Sequence, residues 1–136
     1  RLTLWAKIEP NLTISCDTGL LLQVLHNLIS NAIKYNVPDG WIELNVSSSP
    51  TRANFTLRNP SEELTTEQSD HLLERFYRTD PARSRKVDGV GLGLSICREI
   101  IRTHGGDISL QVDSARVVNV NFWLPRVEPH AVLPTC

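Results

Sequence analysis

Residues 17–36, DTGLLLQVLHNLISNAIKYN, constrain this chain more than any other stretch. A capping Asp17, no internal proline, and apolar Leu21, Leu22, Leu25, Leu28, Ile29, Ala32 and Ile33 at three- and four-residue steps predict one helix from Asp17 to Asn36. At about 100° per residue these side chains form one broad stripe, while Asn27, Asn31, Lys34 and Tyr35 gather on another face. Two carboxamides one turn apart offer oxygens that suit Mg²⁺, and an ammonium one turn further on suits phosphate. The same four residues would also suit a plain solvated face, so a second motif has to decide.

With 136 residues, 40% hydrophobic and 21% charged, the chain fits a single globular domain with its own core. A net charge of -1 without a basic field argues against nucleic acid as a partner. The uncharged run from Thr18 to Ile33 is broken by Gln23, His26, Asn27 and Asn31, so it fails as a membrane span. Cys16, Cys97 and Cys136 are an odd count without CxxC spacing and are expected to be reduced packing residues. A first residue Arg1 with strand-like residues directly after it reads as a piece of a longer chain.

Alternation predicts strands at 2–8, 41–48, 53–58, 107–112 and 116–124, with Pro50 in a hairpin turn between the second and third. A short helical piece near 65–74 leads into a mixed-charge run, RFYRTDPARSRKVDG, too long and irregular for a passive connection and expected to be either a functional lid or a disordered loop. Helical spacing resumes at 94–104 and stops at Gly105 and Gly106. The order strand, helix, two strands, loop, helix, two strands predicts an α+β fold, helices stacked on one face of a mixed sheet.

The second motif is GVGLGLSI, with Gly89, Gly91 and Gly93 at the expected start of the second long helix. Glycines admit close backbone approach, and free N–H groups at a helix start attract anions. The motif lacks a P-loop's Lys-Ser/Thr ending and does not follow a strand, which removes two common nucleotide folds.

Taken in order, NLISNAIKY, RNPSE, ERFYRTDPAR and GVGLGLSI resemble the N box, a modified first glycine box, the F box and the second glycine box of a sensor histidine kinase's ATP-binding domain. The likeness covers roughly residues 2 to 124. It implies the two-layer Bergerat-type α/β sandwich, a mixed, mostly antiparallel sheet with helices on one face and a mobile ATP lid. Residues 1–124 would form this ATP-binding domain and 125–136 a proline-containing tail.

The resemblance implies ATP and Mg²⁺ as ligands, with Asn31 and Asn27 approaching the metal, Lys34 the phosphates, and Tyr35 lining the pocket. Gly89, Gly91 and Gly93, with Val90, Leu92 and Leu94 between and after them, would cradle the nucleotide and hinge the lid. Phe76 is the F-box aromatic, and Arg78 and Arg83 match lid positions that reach towards the γ-phosphate. Gyrase-like relatives carry a glutamate base where this chain has Asn27, and an amide accepts no proton at neutral pH, so hydrolysis is expected to be slow.

The departure lies in the first glycine box, DxGxG in the family, where Asn59, Ser61 and Glu63 stand here. The oxygen of Asn59 can still accept the adenine amino proton, and Pro60 is expected to replace glycine as the turn-former. The implied partners are a helical dimerisation domain carrying the phospho-acceptor histidine, upstream of Arg1, and a response-regulator receiver domain. The implied parent is a membrane-anchored homodimer with this domain in the bacterial cytoplasm, monomeric when isolated. None of His26, His71, His104 and His130 has the acceptor's His-Glu/Asp context. A non-catalytic nucleotide sensor and an anti-sigma-type serine kinase are the competing functions.

Overall fold

The computed structural model describes residues 1–62 and 84–126. The expected helix near 65–74, the lid positions Phe76, Arg78 and Arg83, His71, His130 and the tail from 127 lie outside the described residues.

The elements are β1 (Thr3–Ile8), α1 (Thr18–Lys34), β2 (Trp41–Ser48), β3 (Arg52–Pro60), α2 (Ser84–Thr103), β4 (Asp107–Val112) and β5 (Val117–Pro125). Helix α1 starts where its cap predicts: the Asp17 carboxylate accepts from the Leu20 N–H at 3.0 Å. It ends at Tyr35, whose N–H returns to the Asn31 carbonyl at 3.0 Å.

The strands form one sheet in the order β1-β2-β3-β5-β4. β1 runs parallel to β2, and the other three pairs are antiparallel. Parallel neighbours need a crossover, which α1 supplies. Period-two alternation turns Ala53, Phe55, Leu57 and Asn59 of β3, and Val118, Val120, Phe122 and Leu124 of β5, into the core beneath Val24, Leu28 and Ala32 of α1 and Leu94, Cys97 and Ile101 of α2. Phe55 and Phe122, in register, stack 4.4 Å apart at 5°. The other face is polar, with Asn45, Thr56, Asn121 and Ser109 in one cross-strand row and the Thr56 hydroxyl donating to Asn121 Oδ1 at 2.9 Å. This is the expected two-layer sandwich.

Three expectations need correction. Helix α2 begins at Ser84, ten residues before its apolar spacing starts, so Gly89, Gly91 and Gly93 lie inside the helix and not in a loop before it. Glycine costs a helix about 1 kcal/mol per residue relative to alanine, and the remaining positions, free of proline, carry the helix over that cost. Pro60 is not a turn-former: β3 runs through it, paired with Val117, and a proline without an N–H is tolerated where a ladder ends. Cys16 is disulfide-bonded and not reduced, while Cys97 is free and buried.

The end of α2 is sharp. Gly105, at φ +87°, sends its N–H to the Arg102 carbonyl, and Gly106 sends its own to Ile101, both at 3.0 Å, the paired pattern that satisfies a helix's last carbonyls. His104 joins this end to α1. Its Nδ1 lies 2.8 Å from the Ile100 carbonyl and its Nε2 accepts the Asp17 N–H at 3.1 Å, so the proton sits on Nδ1.

Candidate nucleotide site

Packing of α1 against α2 brings the two sequence motifs together. A Cβ placed on Gly93 would stand 3.9 Å from Asn31 Nδ2 and 4.0 Å from the side-chain amide carbon of Asn27. Both are ordinary van der Waals distances, so the α2 backbone at Gly93 lies one small side chain's width from the two carboxamides. Asn31 Nδ2 is buried and has no hydrogen-bond partner among the described residues. A buried amide donor left unpaired costs about 1 to 3 kcal/mol, and such costs persist mainly where a ligand relieves them.

Next to Asn31 a narrow cavity of about 30 Å³ runs between α1, the sheet and α2. Leu28, Ala32 and Tyr35 line it from α1, Leu57 and Asn59 from β3, Leu110, Val118 and Val120 from β4 and β5, and Leu94 from α2. Apolar walls with a few amide groups suit the flat faces and polar edges of a purine. The space is far smaller than a purine, so one wall has to move to admit it. Tyr35 is buried at 3% exposure, whereas Lys34 is exposed, its ammonium 5.3 Å from the Tyr35 ring centre.

Asn59 is 5% exposed and its Nδ2 donates to the Pro60 carbonyl at 3.0 Å. Its Oδ1, an acceptor as expected, and its second N–H are the groups left to offer. Of the fourteen positions singled out from the sequence, Asn27, Asn31, Tyr35, Asn59, Gly93 and Leu94 meet around this cavity or its rim. Lys34 stands at the C-terminal end of α1, and Gly89, Val90, Gly91 and Leu92 lie along the first half of α2.

The sequence marks Cys97 only as a packing residue, yet it contacts the site. Its thiol is fully buried, donates weakly to the Val24 carbonyl at 3.8 Å, and shares a side-chain hydrogen bond with Asn27. The signal for that contact is its place on the stripe with Leu94 and Ile101, which has to face α1. Burial pushes the Cys97 thiol up to about 11 from an ordinary 9.0, although the Asn27 bond pulls the other way. The folded value lies above the unfolded one, so the stability this contributes is whole below about pH 9 and is lost as pH rises towards 11, at up to about 1.4 kcal/mol per pH unit. Cys97 should therefore resist iodoacetamide in the folded chain at pH 8 and react once urea unfolds it, as peptide mass mapping would show; rapid native alkylation would contradict its burial.

Known proteins share this sequence pattern and this fold. A family model described as histidine kinase-, DNA gyrase B-, and HSP90-like ATPase matches residues 16–128. The chain is 32% identical over 122 residues to the sensor histidine kinase WalK of Bacillus subtilis, covering 88% of this chain and 20% of that protein. It is 34% identical over 119 residues to the sensor protein VanSC of Enterococcus gallinarum, covering 88% and 32%. The chain thus spans a third or less of the curated relatives it matches. Among solved structures, the nucleotide-free catalytic domain of histidine kinase ThkA superposes with a TM-score of 0.78 at 27% identity, covering 93% of this chain and 82% of that one. The same kinase in complex with the response regulator protein TrrA superposes at 0.73, with 26% identity, over 93% and 34%.

Proposed function

This chain belongs to the histidine kinase-, DNA gyrase B- and HSP90-like ATPase family, and from that premise we propose that it is the ATP-binding catalytic domain of a sensor histidine kinase. It passes the γ-phosphate of ATP to a histidine on a separate helical dimerisation domain of the same parent. The observation that carries this reading is the unpaired, buried amide of Asn31 beside Gly93, at the mouth of an apolar cavity that Asn59 and Tyr35 help to line.

In this reading adenine enters between Leu57, Leu94 and Val118, with the Asn59 oxygen accepting its amino proton. Asn31 and Asn27, a turn apart, would hold Mg²⁺ through their Oδ1 atoms, neutral oxygen donors of the kind such an ion takes, while Asn31 Nδ2 would donate to a phosphate oxygen. The ion would neutralise charge on the transferring phosphoryl group. Lys34 attracts the phosphates from the exposed end of α1, with Arg78 and Arg83 proposed to reach the γ-phosphate. The glycines of α2 make its first turns inexpensive to unwind when a nucleotide moves that wall.

Asn27 cannot act as a proton acceptor, so the γ-phosphate is kept for a protein nucleophile. Neither described histidine has the acceptor's His-Glu/Asp context, and the ring of His104 is held by Asp17 and Ile100. Partners are accordingly the dimerisation domain and a response-regulator receiver domain, of the kind that ThkA binds in TrrA. Among the described residues no helix is long and apolar enough to cross a membrane. We place the domain in the cytoplasm, in a membrane-anchored homodimeric parent.

Mixing the chain with a histidine-bearing helical hairpin and labelled ATP tests the proposal. Acid-labile label on the hairpin histidine, with slow ATP turnover by the chain alone, is the expected result. Rapid hydrolysis abolished by Asn31→Ala would overturn the role given to Asn27, and acid-stable label on a serine would overturn the acceptor.

A further inference from the structure

Alternation along the strands puts Asn54 and Thr56 of β3, Asn121 and Trp123 of β5, and Asp107 and Ser109 of β4 on the sheet face away from the helices, where they line an open hollow of about 280 Å³. The cavity beside Asn31 lies on the other, helix-facing side of the same strands. The outer face also carries the chain's three tryptophans, none of them in the buried core, and two of these meet an arginine. Tryptophan and arginine are the residue types that most often carry binding energy at protein interfaces.

The two arginine contacts differ in what answers the charge. Arg58, 5.6 Å from the Trp41 ring centre, is satisfied inside the chain: Glu43 lies 3.3 Å from its Nη1, and Asn119 Oδ1 accepts from its Nε at 2.8 Å. Arg52 sits 3.7 Å from the Trp123 ring centre and meets no carboxylate among the described residues. The ring holds the guanidinium and leaves its N–H fork to a partner. Asp107, on the far wall of the hollow, is already paired with Arg102 at 3.1 Å, so the unanswered charge here is positive. Between the two walls, Asn121 Oδ1 is taken by the Thr56 hydroxyl, which leaves its NH₂ to donate, and the Asn54 amide has no partner among the described residues. Amide groups in a row match the peptide groups of an extended chain. A sugar would need the open face of Trp123, which Arg52 covers.

We propose that this outer face docks an acidic, extended segment of a partner protein. A Glu or Asp carboxylate of the segment takes the Arg52 fork, as Glu43 takes Arg58 within the chain, and the Asn54 and Asn121 amides pair with its peptide groups. The contact is independent of nucleotide binding.

Heteronuclear NMR of the chain titrated with acetylated deca-glutamate should show saturable shifts of the Trp123 indole N–H and of the Asn54 and Asn121 NH₂ signals, weakening as salt is raised. Arg52→Gln should raise the Kd about tenfold or more, whereas Arg116→Gln, the same loss of charge between β4 and β5, should change it less than about twofold. Free glutamate at the same carboxylate concentration should shift these signals far less than the peptide. Equal losses for the two variants, deca-lysine or oligothymidylate bound as tightly as deca-glutamate, free glutamate as effective as the peptide, or no shift of these signals would each overturn the proposal.

Discussion

Asn31→Ala is expected to weaken Mg²⁺-ATP binding by about ten- to a hundred-fold while leaving the domain as stable as before or slightly more so. A hydrogen bond or ligand contact to a charged group contributes about 1.5 to 3 kcal/mol, and about 1.4 kcal/mol is a decade in Kd. The effect on stability follows from the fold without ligand. Nδ2 of Asn31 is buried and unpaired, so truncation removes a penalty and breaks no bond of that group. A purely structural asparagine would behave in the opposite way, losing thermal stability and sparing affinity. Calorimetry with ATP and Mg²⁺, run beside thermal unfolding of the same samples, separates the two. Unchanged affinity with a lowered Tm would remove Asn31 from the site.

Gly106→Ala should produce the largest loss of stability, about 3 kcal/mol or more, enough to lower Tm by roughly 10 °C. Its added Cβ would fall 1.8 Å from the Trp123 carbonyl oxygen, a backbone atom of a central strand that cannot swing aside. The N–H of Gly106 also closes the end of α2 on Ile101, so relieving the clash loosens the helix that carries Gly93 to the asparagines. Gly19→Ala in the first turn of α1 is the control. Its Cβ meets only Asp17 Oδ1 at 3.4 Å, and alanine is the better helix former, so stability should hold or rise slightly. Denaturant unfolding of the three chains gives the comparison, and a Gly106→Ala midpoint equal to that of the parent would contradict the packing of α2 against β5.

Elements specified by neighbouring residues are legible in the amino-acid order alone. Helix α1 lies within two residues of its expected ends, because a cap and a three-four apolar spacing act through contacts no more than a turn long. The β2–β3 hairpin and the β4–β5 pair follow from alternation around short turns. Helix α2 is legible only where its apolar stripe packs. Its first ten residues carry three glycines and little stripe, so nothing in their pattern separates helix from loop. Pro60 misleads because a proline after a strand reads as a turn, whereas its register opposite Val117 is set by a strand nearly sixty residues away.

The sequence by itself determined the composition of the site: two carboxamides a turn apart, a lysine and a tyrosine after them, an asparagine in place of a carboxylate, and a run of glycines. Tertiary structure alone decided that Gly93 meets Asn27 and Asn31 and that Cys97 bonds to Asn27. The reason is physical. Residue type and local spacing fix what each group can donate or accept, but which groups face each other depends on how α1 and α2 settle on the sheet, and that comes from burying the whole core at once.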